Sequence, residues 1–310
     1  MAVNDKKYRL VTRSDFDGLV CAVLLRERNL IDEIKFVHPK DMQDGLIAIS
    51  GDDITTNLPY VEGVHLAFDH HFSETLRVGK PDNYVCDPDA PSAARVVYEY
   101  YGGGETFSSV SPAMLEAVDK GDSANFTREE VLEPDGWNLL NFIMDARTGL
   151  GRFRNFRISN YQLMMDLIDY CKDHDIDDIL RLPDVAERVE LYEDHKDRFQ
   201  KQMRSVGNLH GNVLVVDLRG EETIYAGNRF VKYALFPQAN VSVQILWGFK
   251  RQNTVLTVGK SIFDRSSRKN IGELMLKYGG GGHTAAGTCQ VPNDDAERVV
   301  QEVVAELRAG

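Results

Sequence analysis

The residues from Tyr8 to Arg28, YRLVTRSDFDGLVCAVLLRER, decide the fold class. YRLVTR predicts a short strand and LVCAVLLRER a helix, with an acidic turn, SDFDG, between them. Further strand-like runs cover Glu33–Val37, Leu46–Ser50 and Val64–Phe68, and Ser92 is a suitable N-cap for the helix that follows it. Because strands alternate with helices, we predict an α/β fold with a mostly parallel sheet flanked by helices. In such sheets, ligands bind at the carboxyl ends of the strands.

The length of the chain predicts a second domain, because 310 residues exceed what a single core usually holds. The pattern becomes helical from Ser159, and the apolar strand runs NVLVVDL and VSVQILWGF follow it. We therefore predict a first domain over 1–158, a helical connector over 159–206 and a smaller α/β domain over 207–310.

Composition narrows the class of ligand. The net charge is −12, and the sequence shows no basic stripe of the kind that binds long nucleic acids. No segment approaches the roughly 18 apolar residues needed to span a bilayer. The four cysteines lie far apart, which is typical of reduced thiols in a cytoplasmic protein. These features favour a short phosphorylated ligand over a long nucleic acid or a membrane.

Two acidic or imidazole motifs follow predicted strands. Asp15 and Asp17 lie one residue apart in SDFDG, and Asp69, His70 and His71 follow the apolar run VHLAF. Carboxylate oxygens and imidazole nitrogens bind divalent cations. Taken alone, the first motif could equally be a helix-capping turn, and the histidines could lie in a surface loop. Together they favour a metal site.

Two further acidic sites strengthen this interpretation. Asp52 and Asp53 follow the run LIAIS, and Asp119 and Asp122 lie in AVDKGDSANF; each site taken alone would be read as a turn. Most of the four sites follow predicted strands of one sheet, which predicts a shared centre. Two divalent cations there would activate water and stabilise the charge on phosphorus.

A glycine run marks the second domain. It comprises Gly279, Gly280, Gly281, Gly282 and His283, followed closely by the triplet AAG. Four glycines are more than a helix end requires, and backbone without side chains can approach a phosphate and donate N–H groups to it. A flexible hinge is the alternative. Arg265 and Arg268 are candidate phosphate ligands, although a solvated loop explains Arg268 equally well.

The ordered combination of SDFDG, an isolated aspartate, DHH, DSANF and GGGGHTAAG resembles the DHH phosphoesterase superfamily with a C-terminal DHHA1 domain. The resemblance extends over nearly the whole chain. It implies a metal-dependent hydrolase with one or two Mn²⁺ ions, for which Mg²⁺ or Co²⁺ could substitute. Members of the family include nanoRNases, RecJ exonucleases, dinucleotide phosphodiesterases, phosphatases of adenosine 3′,5′-bisphosphate and exopolyphosphatases.

The resemblance also implies roles for individual residues. The implied metal ligands are Asp15, Asp17, Asp53, His70 and Asp122. Asp52 is close enough to Asp53 to be the alternative ligand. Asp69 would orient its neighbours, and His71 would face the scissile phosphate or the leaving group. The implied substrate-binding residues are Arg265, Gly280, Gly281, Gly282 and His283.

Arg13 departs from the family pattern, because many members begin the first motif with H-x-D-x-D-G, whereas this chain has Arg13-Ser14-Asp15. Arginine stays protonated and cannot bind a cation. Three interpretations remain open. One metal site has fewer protein ligands, only one metal binds tightly, or Arg13 acts as a fixed positive charge against the substrate phosphate.

The function we expect is hydrolysis of linear dinucleotides such as pGpG or pApA, or of very short oligoribonucleotides, to mononucleotides. Exopolyphosphatase and adenosine 3′,5′-bisphosphate phosphatase activities are alternatives, as is a non-catalytic nucleotide-binding module. A phosphatase of the haloacid-dehalogenase type would fit DFDGLV but would leave DHH and GGGGH unexplained. The expected partner is a small phosphorylated substrate, and the sequence leaves a homodimer open.

Overall fold

A computed structural model describes residues 6–153 and 155–309. Its strands are β1 (Tyr8–Arg13), β2 (Ile31–Val37), β3 (Asp53–Thr56), β4 (Leu66–Asp69), β5 (Tyr84–Cys86), β6 (Gly207–His210), β7 (Val213–Asp217), β8 (Val241–Trp247), β9 (Thr254–Lys260), β10 (Gly281–His283) and β11 (Ala286–Val291). Its α-helices are α1 (Phe16–Glu27), α2 (Pro39–Gln43), α3 (Phe72–Val78), α4 (Ala93–Tyr100), α5 (Gly103–Thr106), α6 (Pro112–Ser123), α7 (Arg128–Leu132), α8 (Gly136–Met144), α9 (Asn160–Asp173), α10 (Ile176–Arg181), α11 (Pro183–Val206), α12 (Val231–Leu235), α13 (Ile271–Leu276) and α14 (Ala296–Arg308). Short 3₁₀ turns cover Ala146–Thr148, Leu150–Arg152, Phe249–Arg251 and Asn293–Asp295. None of the helices in the described ranges combines the length and the apolar composition that crossing a membrane requires.

The chain forms two compact units. The first contains residues up to 126 and 134–190, and the second contains 127–133 and the residues from 191 onward. The predicted connector over 159–206 is therefore divided between the units. Helix α9 packs against α1, and its apolar side, which includes Leu163 and Leu167, is buried. The boundary between the units falls inside α11.

The first unit is built on a parallel sheet with the strand order β2-β1-β3-β4-β5. Each neighbouring pair runs parallel, so the carboxyl ends of all five strands lie at one edge. Helix α1 follows β1 directly, and every residue from Phe16 to Leu25 is buried. It packs against α4, α6 and α9 as the central helix of this unit. The predicted mostly parallel α/β fold is confirmed.

One predicted strand is misplaced. Residues 46–50 are not a strand, and β3 begins at Asp53 instead. Ile47 and Ile49 alternate with less apolar residues, which is the pattern of a half-buried strand. In the structure they are half-buried in an irregular segment, packed against a cluster that contains Val11 and Val37. The shift moves Asp53 from the predicted end of one strand to the start of the next.

The second unit contains a mixed sheet with the strand order β10-β11-β9-β8-β7-β6. Strands β7 and β8 are parallel, and the other neighbouring pairs are antiparallel. Helices α13 and α14 pack on this sheet, and the apolar face of α14, with Val299, Val303 and Leu307, is part of its core. The predicted second α/β domain is therefore present.

Candidate metal centre

The chemistry-bearing residues of the first unit gather where its central strands end. The pairing of Thr12 with Thr56, and of Thr56 with Phe68, aligns the ends of β1, β3 and β4. We call this side of the sheet the carboxyl edge. Asp15 follows β1 there, and Asn57 follows β3. His70 follows β4 in the same way, so this edge collects polar side chains from three neighbouring strands.

Asp17 is buried in the first turn of α1. Its two oxygens accept hydrogen bonds from the backbone N–H groups of Ala93 (3.0 Å) and Ala94 (2.8 Å), which begin α4. Burial, with the nearby carboxylate of Asp122, raises the pKa of Asp17 to about 7. The carboxylate thus helps to fix the start of α4 and faces other acidic groups.

His70 and Asp122 complete a compact group with Asp17. Nε2 of His70 lies 2.8 Å from Oδ2 of Asp122, and Nδ1 lies 3.3 Å from the carbonyl oxygen of Ala90. Burial opposes the charged imidazolium, but the hydrogen bond and charge of Asp122, together with Asp17, raise the pKa of His70 to about 9. An Nδ1–H donated to Ala90 leaves Nε2 as the ring nitrogen that can bind a cation.

The donor set fits a divalent cation. Within residues 6–153 and 155–309, Asp17, His70 and Asp122 form the one group of three or more such side chains whose ligand atoms lie within 4.8 Å of one another. Oδ1 of Asn57 is buried and has no hydrogen-bond partner among the described residues, and the buried Nε2 of His70 faces Oδ2 of Asp122 at 2.8 Å. Two carboxylates, an imidazole and an amide oxygen are ligands that Mn²⁺ accepts. Such an ion would satisfy the buried amide oxygen of Asn57, which has no hydrogen-bond partner among the described residues.

Asp15 lies beside this group but is engaged elsewhere. Oδ1 accepts the N–H of Gly18 at 3.0 Å and thereby caps α1, and Oδ2 lies 2.8 Å from Nε of Arg13. Gly18 has no room for a side chain, because an added Cβ would overlap the carbonyl oxygen of Arg13. Although burial opposes it, the carboxylates of Asp15, Asp122 and Asp17 raise the pKa of Arg13. Arg13 is therefore a fixed cation facing the acidic cluster.

The structure does not bring Asp53 to the cluster. Asp53 is the first residue of β3 and pairs with Arg9 of β1, so it lies at the opposite, amino edge of the sheet. Nε of Arg9 lies 2.6 Å from its Oδ1, and Ser50 donates its backbone N–H to Oδ2 at 2.6 Å. Asp52 is exposed and paired with Lys6 at 2.8 Å. Neither aspartate is placed where it could be a ligand of this centre. The sequence pattern predicted that a strand ends just before Asp52 and Asp53, whereas in the structure β3 begins at Asp53.

Asn57 occupies the position that Asp53 was predicted to hold. It directly follows β3, it is buried, and its Nδ2 lies 3.4 Å from Oδ1 of Asp15. Its φ of 54° is a left-handed conformation that asparagine tolerates better than most residues. Sequence patterns do not indicate Asn57, because it is not a carboxylate and the preceding strand, DITT, is short and begins with a charged residue.

Asp69 and His71 form a second pair at the carboxyl edge. Asp69 is buried at the end of β4, and its two oxygens contact Nδ1 of His71 (2.7 Å) and the hydroxyl of Tyr84 (3.1 Å). The side chain of His71 is partly exposed. This geometry is the one expected if Asp69 orients His71. Asp119, by contrast, contacts the hydroxyl of Ser92 (2.7 Å) and Nε of Arg95 (3.0 Å), so it supports the start of α4.

Sequence patterns do not indicate Asp145 and Arg147 either, which lie just after α8. Nε of Arg147 lies 2.7 Å from Oδ1 of Asp145, and the side chain of Arg147 is about half exposed. Asp145 is among the carboxylates that raise the pKa of Arg13. Burial and Asp122 raise the pKa of Asp15, whereas the charges of Arg13 and Arg147 oppose this. Arg147 is thus a second, more exposed cation near the centre.

The glycine run of the second unit is part of a sheet rather than a hinge. Gly281–His283 form β10, which pairs antiparallel with β11. A Cβ at Gly280 would overlap the carbonyl oxygen of Thr288, and one at Gly282 would overlap that of Ala286. Packing therefore requires these two glycines, whereas a Cβ at Gly281 would meet nothing within 4 Å.

The other residues predicted to bind substrate also lie in the second unit. Arg265 is exposed, and its Nε donates to the carbonyl oxygen of Ile262 at 3.1 Å. His283 is exposed at the end of β10. Their substrate-binding role stays a prediction.

The chain is similar to several proteins of known structure. No protein-family model and no curated protein sequence matches this chain. The solved structure of a pGpG-specific phosphodiesterase, PggH from Vibrio cholerae, is 62% identical, with a TM-score of 0.86 over 98% of this chain and 99% of that chain. CDC45 from Entamoeba histolytica is 8% identical, with a TM-score of 0.52 over 97% of this chain and 95% of that chain, and shares the fold alone. RecJ from Thermus thermophilus, in complex with Mn²⁺, is 15% identical with a TM-score of 0.48 over 99% of this chain and 52% of that chain.

The alignment at 62% identity covers 98% of this chain, and therefore both units, and 99% of the chain of the solved phosphodiesterase. The first unit presents the SDFDG and DHH motifs at one edge of a parallel sheet, and the second contains GGGGHTAAG. Fold, motif order and sequence identity therefore agree. This chain belongs to the DHH phosphoesterase superfamily and is a hydrolase of phosphoester bonds.

Proposed function

We propose that this protein hydrolyses linear dinucleotides such as pGpG to two mononucleotides. The observation that carries the proposal is the 62% identity, over 98% of the chain, to a pGpG-specific phosphodiesterase. The cluster of Asp17, His70 and Asp122 supports it, since it supplies the ligands that a metal-dependent phosphodiesterase needs.

The cofactor we propose is Mn²⁺, held by Asp17, His70 and Asp122, with Oδ1 of Asn57 available as a further oxygen ligand. An imidazole ligand favours Mn²⁺ over Mg²⁺, which prefers oxygen ligands alone. We expect Mg²⁺ and Co²⁺ to act as substitutes. When bound, a divalent cation lowers the pKa of water and neutralises charge on the phosphoryl oxygens.

We propose that His71, positioned by Asp69, protonates the leaving group. Asp69 accepts the Nδ1–H of His71 and so fixes the orientation of the ring, with Nε2 on the far side. A protonated Nε2 can donate a proton to the oxygen that leaves phosphorus, and Asp69 stabilises the charged ring. Tyr84 holds the second oxygen of Asp69 in place. We therefore assign His71 as the general acid and Asp69 as its positioning residue.

Each unit has its own proposed substrate-binding residues. In the first unit, Arg13 and Arg147 are cations near the metal ligands and suit phosphoryl oxygens. In the second unit, the proposed substrate-binding residues are Arg265, Gly280, Gly281, Gly282 and His283. Gly281 is the informative one to test, because packing does not already require a glycine there. The acidic chain, with net charge −12, suits a short ligand, and its free cysteines suit the cytoplasm.

A parallel assay tests the proposal. The purified chain with Mn²⁺ is offered pGpG, pApA, adenosine 3′,5′-bisphosphate and polyphosphate, and products are separated by ion-exchange chromatography with a separate orthophosphate assay. We expect two GMP per pGpG and no orthophosphate. Orthophosphate from polyphosphate or from the bisphosphate, without GMP from pGpG, would identify one of the alternative activities. Mn²⁺ binding without turnover of any substrate would identify a non-catalytic module.

A further inference from the structure

The Arg13–Asp15 ion pair lies next to the metal-ligand cluster and bears on how many cations the site can bind. We infer that this chain binds one divalent cation, and that the guanidinium of Arg13 supplies the fixed positive charge that a second cation would otherwise provide. The inference rests on the proposed function and specifies the metal content of that same site.

The supply of ligands is sufficient for one ion. The described residues contain one group of three closely spaced ligands, made of Asp17, His70 and Asp122. Asp15 is the nearest additional carboxylate, but its Oδ2 is paired with Arg13 at 2.8 Å and its Oδ1 accepts the N–H of Gly18 at 3.0 Å. A second cation bound to Asp15 would have to displace a guanidinium that is itself held among carboxylates.

The charges lead to the same number. Asp15, Asp17 and Asp122 bring three negative charges when ionised. Arg13 supplies one positive charge and a divalent cation supplies two, so the site is neutral with one ion. A second divalent cation would leave two uncompensated positive charges in a largely buried site, where charge is poorly screened. The other acidic groups nearby have their own partners, since Asp69 contacts His71 and Tyr84, and Asp145 contacts Arg147.

Asn57 fits a single-ion site because its side chain is uncharged. It ends the middle one of the three strands that form the site, between the end of β1 and the end of β4. Its Nδ2 lies 3.4 Å from Asp15, while its buried Oδ1 has no hydrogen-bond partner among the described residues. An amide can offer an oxygen to one cation, but it adds no negative charge to attract another. A carboxylate at this position would be the natural bridge between two ions.

Counting bound Mn²⁺ on the full-length protein tests the inference without any substrate. Calorimetric titration of metal-free protein with Mn²⁺ alone should give one site per chain. Electron paramagnetic resonance at saturation should show isolated ions without coupling between two of them. Two tightly bound, coupled ions per wild-type chain would overturn the inference and leave the proposed function standing. A chain that binds no Mn²⁺ would overturn the inference, and the separate pGpG assay then decides whether the proposed function fails with it.

A paired set of variants tests the role of Arg13. The double variant Arg13→His with Asn57→Asp replaces the fixed cation by an imidazole and adds a bridging carboxylate, so we expect it to bind two Mn²⁺. Arg9→His is the matched control, since it makes the same change on the same strand at the amino edge, and it should still bind one. Circular dichroism checks that each variant is folded. A folded double variant that still binds one ion would overturn the role given to Arg13. If the double variant does not fold, the wild-type count decides the inference alone.

Discussion

Strand β1 carries an arginine–aspartate pair at each end, and the two pairs have different surroundings. At the amino edge, Arg9 lies 2.6 Å from Asp53, whose other oxygen accepts the N–H and the hydroxyl of Ser50. At the carboxyl edge, Arg13 lies 2.8 Å from Asp15. The first pair is complete in itself and ties one strand to its neighbour. The second lies near further carboxylates, those of Asp17 and Asp122, so its charge is available to a ligand.

The difference follows from the direction of the strands. In a parallel sheet, helix N-termini and the loops that precede them collect at the carboxyl ends, where backbone N–H groups and side chains converge. Asp17 uses two such N–H groups at the start of α4. Asp53 instead contacts Arg9 and accepts the N–H and the hydroxyl of Ser50, the residue three positions before it. Identical residue types therefore join two strands at one edge and belong to the proposed reaction site at the other.

Removing a metal ligand should have the largest effect of any change at either edge. We expect His70→Ala to lower the rate of pGpG hydrolysis by about a thousandfold or more, because the cation both activates water and stabilises charge. Removal of the metal by a chelator should lower the rate of pGpG hydrolysis at least as much. The measurements are initial rates at saturating Mn²⁺ and the Mn²⁺ dissociation constant.

Asp53→Asn is the matched change at the amino edge. It should retain wild-type kcat and Mn²⁺ affinity while it lowers the melting temperature, because it weakens the contact with Arg9. Loss of Mn²⁺ binding in Asp53→Asn, or normal rates in His70→Ala, would contradict the assignment of the two edges.

The two arginines give the most direct comparison. Arg13→Ala should lower kcat/KM for pGpG by about a hundredfold, the scale of losing one preorganised charge near the reacting phosphoryl group. Arg9→Ala should leave kcat/KM unchanged and lower the free energy of unfolding by roughly 2 kcal/mol, since Asp53 stays buried without its partner. Steady-state kinetics and urea unfolding of both variants separate these outcomes. Equal kinetic losses in both would show that the carboxyl-edge pair has no special role.

Sequence reasoning located the carboxyl edge well because its signals are local. SDFDG lies between a strand and a helix that are adjacent in the chain, and DHH follows a short apolar strand, so each motif indicated its own place in the sheet. Asp17 and His70 then meet because β1, β3 and β4 are neighbours, as βαβ connections favour. Asp122 lies at the end of a helix, and its place in the cluster depends on how α6 packs against α1.

The amino edge and Asn57 were missed for a physical reason. Apolar alternation at Ile47 and Ile49 resembles a strand, whereas the real strand, DITT, is short and begins with a charged residue. Asp53 is buried there only because Arg9 compensates its charge from the neighbouring strand. That contact joins residues far apart in sequence, so no local pattern reveals it. The same offset hid Asn57, four residues further along the chain.

Mn²⁺ affinity should depend on pH through the carboxyl edge and not through the amino edge. We expect this effect to be smaller than the kinetic losses above but measurable. In the metal-free protein, burial is the main cause that raises the pKa of Asp17 to about 7. The pKa of His70 is raised to about 9. A cation must displace the protons that these groups hold. Below pH 7 both are protonated, so affinity should rise by roughly a hundredfold per pH unit. Between pH 7 and 9 one proton remains, and the rise should be roughly tenfold per unit.

Calorimetry in buffers of different ionisation enthalpy counts the released protons directly. We expect two per Mn²⁺ at pH 6 and one at pH 8. Asp53→Asn should show the same profile as the wild type, since the amino edge takes no part in the titration of the cluster. An affinity that does not change with pH would mean that neither Asp17 nor His70 binds the ion.

Arg147 should produce the smallest effect, and it limits how far the reaction site extends beyond β1. Its guanidinium lies near Asp15 but is about half exposed and shares its charge with Asp145 at 2.7 Å. A contact from such a side chain to a substrate phosphate contributes about 1 kcal/mol, because solvent screens it. Arg147→Ala should therefore raise KM for pGpG about fivefold and leave kcat within about twofold of the wild-type value.

Arg181→Ala is the control, because Arg181 is an exposed arginine of α10 paired only weakly with Asp178 at 3.4 Å. It should leave both constants unchanged. A drop in kcat for Arg147→Ala as large as that for Arg13→Ala would extend the reaction site to the turn after α8. An unchanged KM would mean that Arg13 alone supplies the fixed positive charge of the reaction site. The functional difference between the two ends of β1 would then depend on the side chain of Arg13.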